Sequence, residues 1–211
     1  GVVEERGFLF NGYTRLVTHN WPLRDEKGTL YEGGIRVPFI ASWPGEIRPG
    51  TLNDTPIHSI DLFPTLCELT RTSIPGYISS DGISILPLLN GKNAEVQRDL
   101  FWHYPHYHHS TPASAIRSGD YKLIYFYETE TLELYNLADD IGEQYDLAET
   151  EPAKASAMLN ELMGWLENDV HAGMPRNNPF YDPDRQLIWG ERVDREKVKS
   201  GKNFGLDALE R

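Results

Sequence analysis

From Asp99 onward, short runs rich in aromatic and β-branched residues alternate with turn-forming residues. The runs 100–104, 113–117, 121–127 and 132–135 read as four strands. Ser118-Gly119-Asp120 and Glu128-Thr129-Glu130 supply tight links, which predicts an antiparallel meander. The period then lengthens. Over 152–170, Ala155, Met158, Leu159, Leu162, Met163 and Leu166 recur at helical spacing, with Pro152 in the first turn. This stripe is expected to cover one face of the meander. Beyond Gly173 the periodicity is weak, and 176–211 reads as an extended tail.

The first half is punctuated by Gly and Pro. Residues 36–43 are apolar, β-branched and aromatic, stop at Pro44-Gly45, and predict a buried strand with Pro38 near its start. Residues 59–71 predict a helix capped by Ser59 or Asp61, with Ile60, Phe63, Leu66, Cys67 and Thr70 on its inward stripe. Cys67 on that stripe reads as a buried structural thiol, not a nucleophile. A short helical segment over 84–89 ends at Asn90-Gly91.

Composition narrows the class. The chain has 211 residues, 20 Lys+Arg against 32 Asp+Glu and a formal charge of −12, which argues against a nucleic-acid partner. Hydrophobic residues make up 39%, and no apolar run approaches the roughly 20 residues of a membrane span. The single cysteine excludes an internal disulfide and any multi-thiolate zinc site. Residues 1–6 carry no targeting signal, and a start without Met predicts a fragment of a longer chain. Between Glu128 and Glu151 lie nine acids and no Lys or Arg, expected as a solvated face because calcium-loop spacing is missing.

Candidate chemistry gathers at Lys27. Its loop is rich in glycine (Gly28, Gly33 and Gly34), and a lysine there is a mobile point charge suited to an anion. One lysine and a few glycines also fit an ordinary solvated loop. Four of the seven histidines fall in 103–109, interleaved with Tyr104 and Tyr107, where metal binding, sugar packing and core packing are all open. His58 and His19 stand near helix or loop starts, where capping is the default.

The blocks Lys27-Gly28-Thr29-Leu30-Tyr31-Glu32-Gly33-Gly34-Ile35-Arg36-Val37-Pro38, Trp43-Pro44-Gly45 and Ile60-Asp61-Leu62-Phe63-Pro64-Thr65-Leu66 occur in that order. Leu100-Phe101-Trp102-His103-Tyr104-Pro105-His106-Tyr107, Ala115-Ile116-Arg117-Ser118-Gly119-Asp120-Tyr121-Lys122-Leu123-Ile124 and Glu133-Leu134-Tyr135-Asn136-Leu137 follow. Together they resemble the C-terminal half of the type I, formylglycine-dependent sulfatase (arylsulfatase) family. The resemblance implies an α/β, alkaline-phosphatase-like superfold, of which this chain is a C-terminal fragment. Residues 1–98 would be the edge of the α/β core. Residues 99–175 would form an α+β subdomain with a four-stranded antiparallel sheet and one long helix.

What the resemblance implies chemically is hydrolysis of a sulfate ester, with a sulfated carbohydrate or aryl sulfate as substrate. In the intact family enzyme the nucleophile is a formylglycine hydrate beside Ca²⁺, and Lys27 matches the lysine that contacts the sulfate. His103 and His106 match the loop facing the substrate pocket, and Asn11 the Asn of a metal-binding Asp-Asn-Gly element. Departures are equally plain. No C-x-P-S-R or S-x-P-x-R motif occurs, the paired metal-binding aspartates are missing, and Phe10 stands where an Asp is expected. The chain alone is therefore expected to hold no cofactor and to be inactive, its partner being the N-terminal half of the same enzyme. Two alternatives remain open here: a non-catalytic sulfated-glycan-binding or accessory domain, and a phosphoesterase of the same superfold. The resemblance also implies a periplasmic or extracellular setting.

Overall fold

A computed structural model describes residues 8–10, 13–15, 20–91, 96–108 and 110–170. Asn11, His19, His109 and the expected tail over 176–211 lie outside the described residues. The chain divides into two compact units, one comprising 1–36 with 101–211 and the other 37–100.

In the first unit, β1 (Phe8–Phe10) pairs antiparallel with β2 (Tyr13–Arg15). The short helix α1 (Glu32–Ile35) follows. A four-stranded antiparallel sheet runs in the order β3 (Leu100–Tyr104), β4 (Ala113–Ser118), β5 (Tyr121–Phe126) and β6 (Thr131–Asn136). Its register pairs Ile116 with Leu123 and Leu123 with Leu134, so strand alternation lines these residues up across one face. Helix α4 (Pro152–Trp165) lies on that face and continues as a π turn over Leu166–Val170. Ala155, Met158, Leu162 and Leu166 are buried there with Ile116, Leu123 and Leu134. The expected meander and its covering helix are both present.

The other face of the sheet buries Ala113, Ala115, Ile124, Tyr135 and Leu137 against Leu30 and Tyr31. The glycine-rich loop over 20–36 is thus built onto the sheet. Its glycines are needed for the packing. An added Cβ at Gly33 would strike the carbonyl oxygens of Arg24 and Asp25, and one at Gly34 would lie 2.6 Å from Thr29 Oγ1.

In the second unit, a 3₁₀ turn (Ser59–Asp61) leads into α2 (Leu62–Leu69), and α3 (Leu86–Leu89) packs on it. His58 caps the turn, its ring accepting from Ile60 N while Asp61 accepts from His58 N at 2.7 Å. Two expectations for this unit need correction. Residues 36–43 form no strand, and Val37, Phe39, Ile40 and Trp43 are exposed. A strand needs a hydrogen-bonded neighbour, and none of the described strands pairs with this segment. Helix α2 is also turned over. Leu62, Phe63 and Leu66 face outward, whereas Asp61 and Thr65 are buried and Cys67 is half-buried.

Hydrogen bonding explains that inversion. Asp61 accepts from Ile83 N at 3.0 Å and pairs with Arg98. Thr65 Oγ1 donates to the Asp61 carbonyl at 2.6 Å and accepts from Ile85 N at 2.9 Å. A buried polar group with partners costs little; without them it is expensive. The polar side of α2 therefore supplies the internal contacts of this unit.

The acidic run also departs from a purely solvated face. Asp140 accepts from Gln144 N and Tyr145 N, and Asp146 from Leu134 N and Ala148 N. Glu143 is fully buried. These carboxylates hold their own loop together by accepting main-chain N–H bonds.

Candidate functional site

Lys27 is exposed at the tip of a turn, followed by Gly28 at φ +100°. Positive φ suits glycine, and here the missing side chain has a second use. An added Cβ at Gly28 would overlap the ring of His108, so the imidazole lies directly against the turn that carries Lys27. Two sequence-distant segments, one with the lysine and one with the histidine cluster, thus meet at one place.

The other members of the cluster are placed differently. His103, on β3, is half-buried, with Nδ1 2.8 Å from Ser114 Oγ and 3.2 Å from the Tyr127 hydroxyl. Burial, and secondarily His106, holds its imidazole below the usual range, so it is neutral at pH 7. His103 is thereby tied into the sheet. His106 is exposed and stands edge-on to Tyr104, with ring centroids 5.7 Å apart. His108 was not singled out by sequence. The available signal was its place in the same histidine run, but only the fold shows which ring meets Gly28.

On the chain side of the turn lies a buried charge network that sequence reasoning missed. Lys122, on β5, is 0% exposed, and its Nζ lies 2.9 Å from both Glu32 Oε1 and Glu143 Oε1. Glu32 also pairs with Arg36 Nε at 2.5 Å and lies 3.9 Å from Arg117 Nη1. The Glu32 backbone N–H donates to Glu143 Oε2 at 2.7 Å. Burial acts to raise the Glu32 carboxyl, but Lys122 and Arg36 outweigh it and hold that group below the usual carboxylate range. Burial raises Glu143, whose cationic support from Lys122 is shared with Glu32.

A second cluster anchors the upstream arm of the loop. The Arg24 guanidinium stacks on the Tyr31 ring, 3.7 Å from its centroid, and donates to Tyr135 Oη at 2.7 Å, Tyr31 Oη at 2.9 Å and the Glu143 carbonyl at 2.9 Å. Both tyrosine hydroxyls donate to Glu133 Oε2 at 2.7 Å. Burial, then the nearby Glu133, pushes both phenols well up, so they remain donors.

Among the described residues, no group of three or more His, Cys, Asp or Glu is arranged to hold an ion. Glu32 and Glu143, the buried carboxylates under the loop, are engaged by Lys122, Arg36 and a main-chain N–H, and do not form the cage of six to eight oxygens that calcium takes. These residues do not fit a calcium ion.

Residues 19–169 match the family described as N-sulphoglucosamine sulphohydrolase, C-terminal. The chain belongs to the sulfatase C-terminal domain family. It is 39% identical over 199 residues to a sulfatase of Formosa agariphila, covering 84% of this chain and 36% of that one. It is 33% identical over 193 residues to human arylsulfatase A, covering 78% of this chain and 38% of that enzyme. This sulfatase domain thus spans less than two-fifths of the length of those relatives. Its fold is similar to that of a crystal structure of Ps i-CgsB in complex with k-i-k-neocarrahexaose, with a TM-score of 0.63 and 24% identity over 93% of this chain and 39% of that one. The architecture is the C-terminal part of the alkaline-phosphatase-like fold, with the four-stranded sheet and long helix of its subdomain. No helix among the described residues is long and apolar enough to cross a membrane.

Proposed function

We propose that this chain is the C-terminal portion of a sulfate-ester hydrolase acting on a sulfated carbohydrate or aryl sulfate, and that Lys27 carries its contribution to the reaction. The observation behind this reading is the presentation of Lys27 on an exposed turn, with His108 against Gly28 and buried charges anchoring both arms of the loop. A held ammonium acts where charge builds on the sulfate and leaving-group oxygens, and it costs little reorganisation when the bond breaks. His106 and the neighbouring aromatic rings would line the way to the sugar, while His103 keeps the sheet end of that loop in place. In the intact enzyme, formylglycine and Ca²⁺ would supply the nucleophile and a second cation, and Asn11 would add one oxygen ligand. The remaining ligands are expected from an N-terminal portion.

Exposed apolar residues in the second unit support such a partner: Val37, Phe39, Ile40, Leu62, Phe63 and Leu66 form an uncovered set that suits a covering segment. A periplasmic or extracellular setting follows from the same reading.

The test joins this chain to the N-terminal portion of its Formosa agariphila relative and follows cleavage of a chromogenic aryl sulfate. Lys27→Ala is expected to lower turnover about 10²–10³-fold with little change in melting temperature. Equal activity in the variant would make Lys27 an ordinary surface residue. The 211-residue chain alone is expected to be inert in the same assay.

A further inference from the structure

Lys122 cannot touch a substrate, because it is fully buried under the loop. Its surroundings nonetheless bear on where Lys27 sits. Lys27 lies between two anchored points, Arg24 and Glu32, and the chain between them is closed on itself by tight glycine packing. Thr29 Oγ1 donates to the Glu26 carbonyl at 3.1 Å, and Gly33 N donates to the Arg24 carbonyl at 2.8 Å. Gly34 fits against Thr29. A displacement of Glu32 therefore carries the turn with it.

We propose that Lys122 is a positioning residue for Lys27: by bridging Glu32 of the loop to Glu143, it latches the Lys27 turn onto the sheet beside His108. The geometry favours a latch over mere filling. One ammonium meets carboxylates from two segments at equal 2.9 Å distances, and the Glu143 carboxylate simultaneously takes the Glu32 backbone N–H. An apolar side chain of similar volume would fill the same space, but it would not fix the direction of Glu32. The charge-assisted bond from Lys122 to Glu32 Oε1 does so, because it needs its own distance and angle, while Glu143 Oε1 meets the same ammonium as an ion pair. Arg36 and Arg117 bracket the other oxygen of Glu32, so the carboxylate is oriented from both sides. The inference rests on the reading that Lys27 faces an anion, and the test separates the two.

The experiment uses the 211-residue chain, with hydrogen exchange resolved along the sequence and amide NMR shifts recorded during titration with sodium sulfate at low ionic strength. Wild-type protein is compared with Lys122→Met. The latch predicts exchange at 26–34 about tenfold or more faster in the variant, with β4, β5 and α4 within about twofold of wild type. It also predicts a smaller sulfate-induced shift at the Gly28 amide. A uniform rise across all elements would overturn the proposal by making Lys122 a general support of the fold, and no rise at 26–34 would overturn it outright. A wild-type Gly28 amide that ignores sulfate refutes the anion reading of Lys27, while the exchange contrast still judges the latch. Should Lys122→Met fail to fold, Glu143→Gln decides on the same readout. Faster exchange confined to 26–34 supports the latch, and exchange equal to wild type overturns it.

Discussion

Leu162 is the strongest single test of how the sheet is held. It is 0% exposed and belongs to the buried cluster that also contains Ile116, Leu123, Leu134, Met158 and Leu166. Leu162→Ala removes most of a buried side chain from between a helix and a sheet. Both contribute regular backbone, so the gap closes only in part, and the loss is about 2–5 kcal/mol. A domain's whole stability is roughly 5–15 kcal/mol, so the change is a large fraction of it. The control is Leu66→Ala on α2, where the side chain is 58% exposed and the loss should stay under about 1 kcal/mol. Both variants are unfolded in urea and followed by tryptophan fluorescence and far-ultraviolet circular dichroism. Trp165, stacked on Phe101 with centroids 4.8 Å apart, reports directly on the helix–sheet contact. If Leu162→Ala moves the midpoint no further than Leu66→Ala, α4 does not hold the sheet and the packing argument fails.

Three further outcomes follow from named positions. Gly164 in α4 has nothing within 4 Å of an added Cβ, so Gly164→Ala should raise stability by about 0.5–1 kcal/mol in the same urea assay; a loss would mean the helix needs the glycine. Gly33→Ala, which drives a methyl into two carbonyl oxygens, should detach the 20–36 loop, seen as new tryptic cleavage at Arg24 or Lys27, and an unchanged digest would refute the close packing. The third concerns pH. Glu143 is raised in the folded chain, so its contribution to stability grows as pH falls through that value toward the ordinary carboxylate range, whereas depressed Glu32 contributes above its unfolded value and loses that contribution only at lower pH. The urea midpoint of wild type minus that of Glu143→Gln should therefore increase as the pH is lowered toward the ordinary carboxylate range, and a constant or falling difference would contradict the assignment.

The sheet and α4 were legible in the sequence because each is written in a local period. The Tyr121–Phe126 strand and the Ala155, Met158, Leu162 and Leu166 stripe are visible within single windows of chain, and the structure buries the residues those periods select. The Lys27 loop was legible as a glycine-rich element, but its anchoring was not. Glu32 and Lys122 are 90 positions apart, and nothing local marks a lysine inside a strand as the partner of a loop glutamate. A weak sign was present: Lys122 sits beside Leu123 and Ile124 in a strand without a second charge. A lysine in such company is buried only when it is paired. The family resemblance supplied Lys27 as a candidate, whereas His108 emerged only from the contact with Gly28.

Helix α2 and residues 36–43 went the other way for a reason that applies beyond this chain. Periodicity shows that a helix has an apolar side, but equating that side with the interior assumes that the covering surface belongs to the same unit. Here the inner side is Asp61 and Thr65, satisfied by Ile83, Ile85 and Arg98, so the unit closes through hydrogen bonds and an ion pair. The apolar side is left outward with Phe63 and Leu66, and Ile40 is 89% exposed in a segment whose composition suits a strand. Isolated exposed apolar residues need no explanation, but an exposed helix stripe and a strand-like segment in one unit do. A segment that supplied both a pairing edge for 36–43 and an apolar surface for α2 would satisfy the two at once. This is the arrangement expected if the unit completes a larger α/β layer, and it agrees with a chain that spans less than two-fifths of the sulfatases it matches.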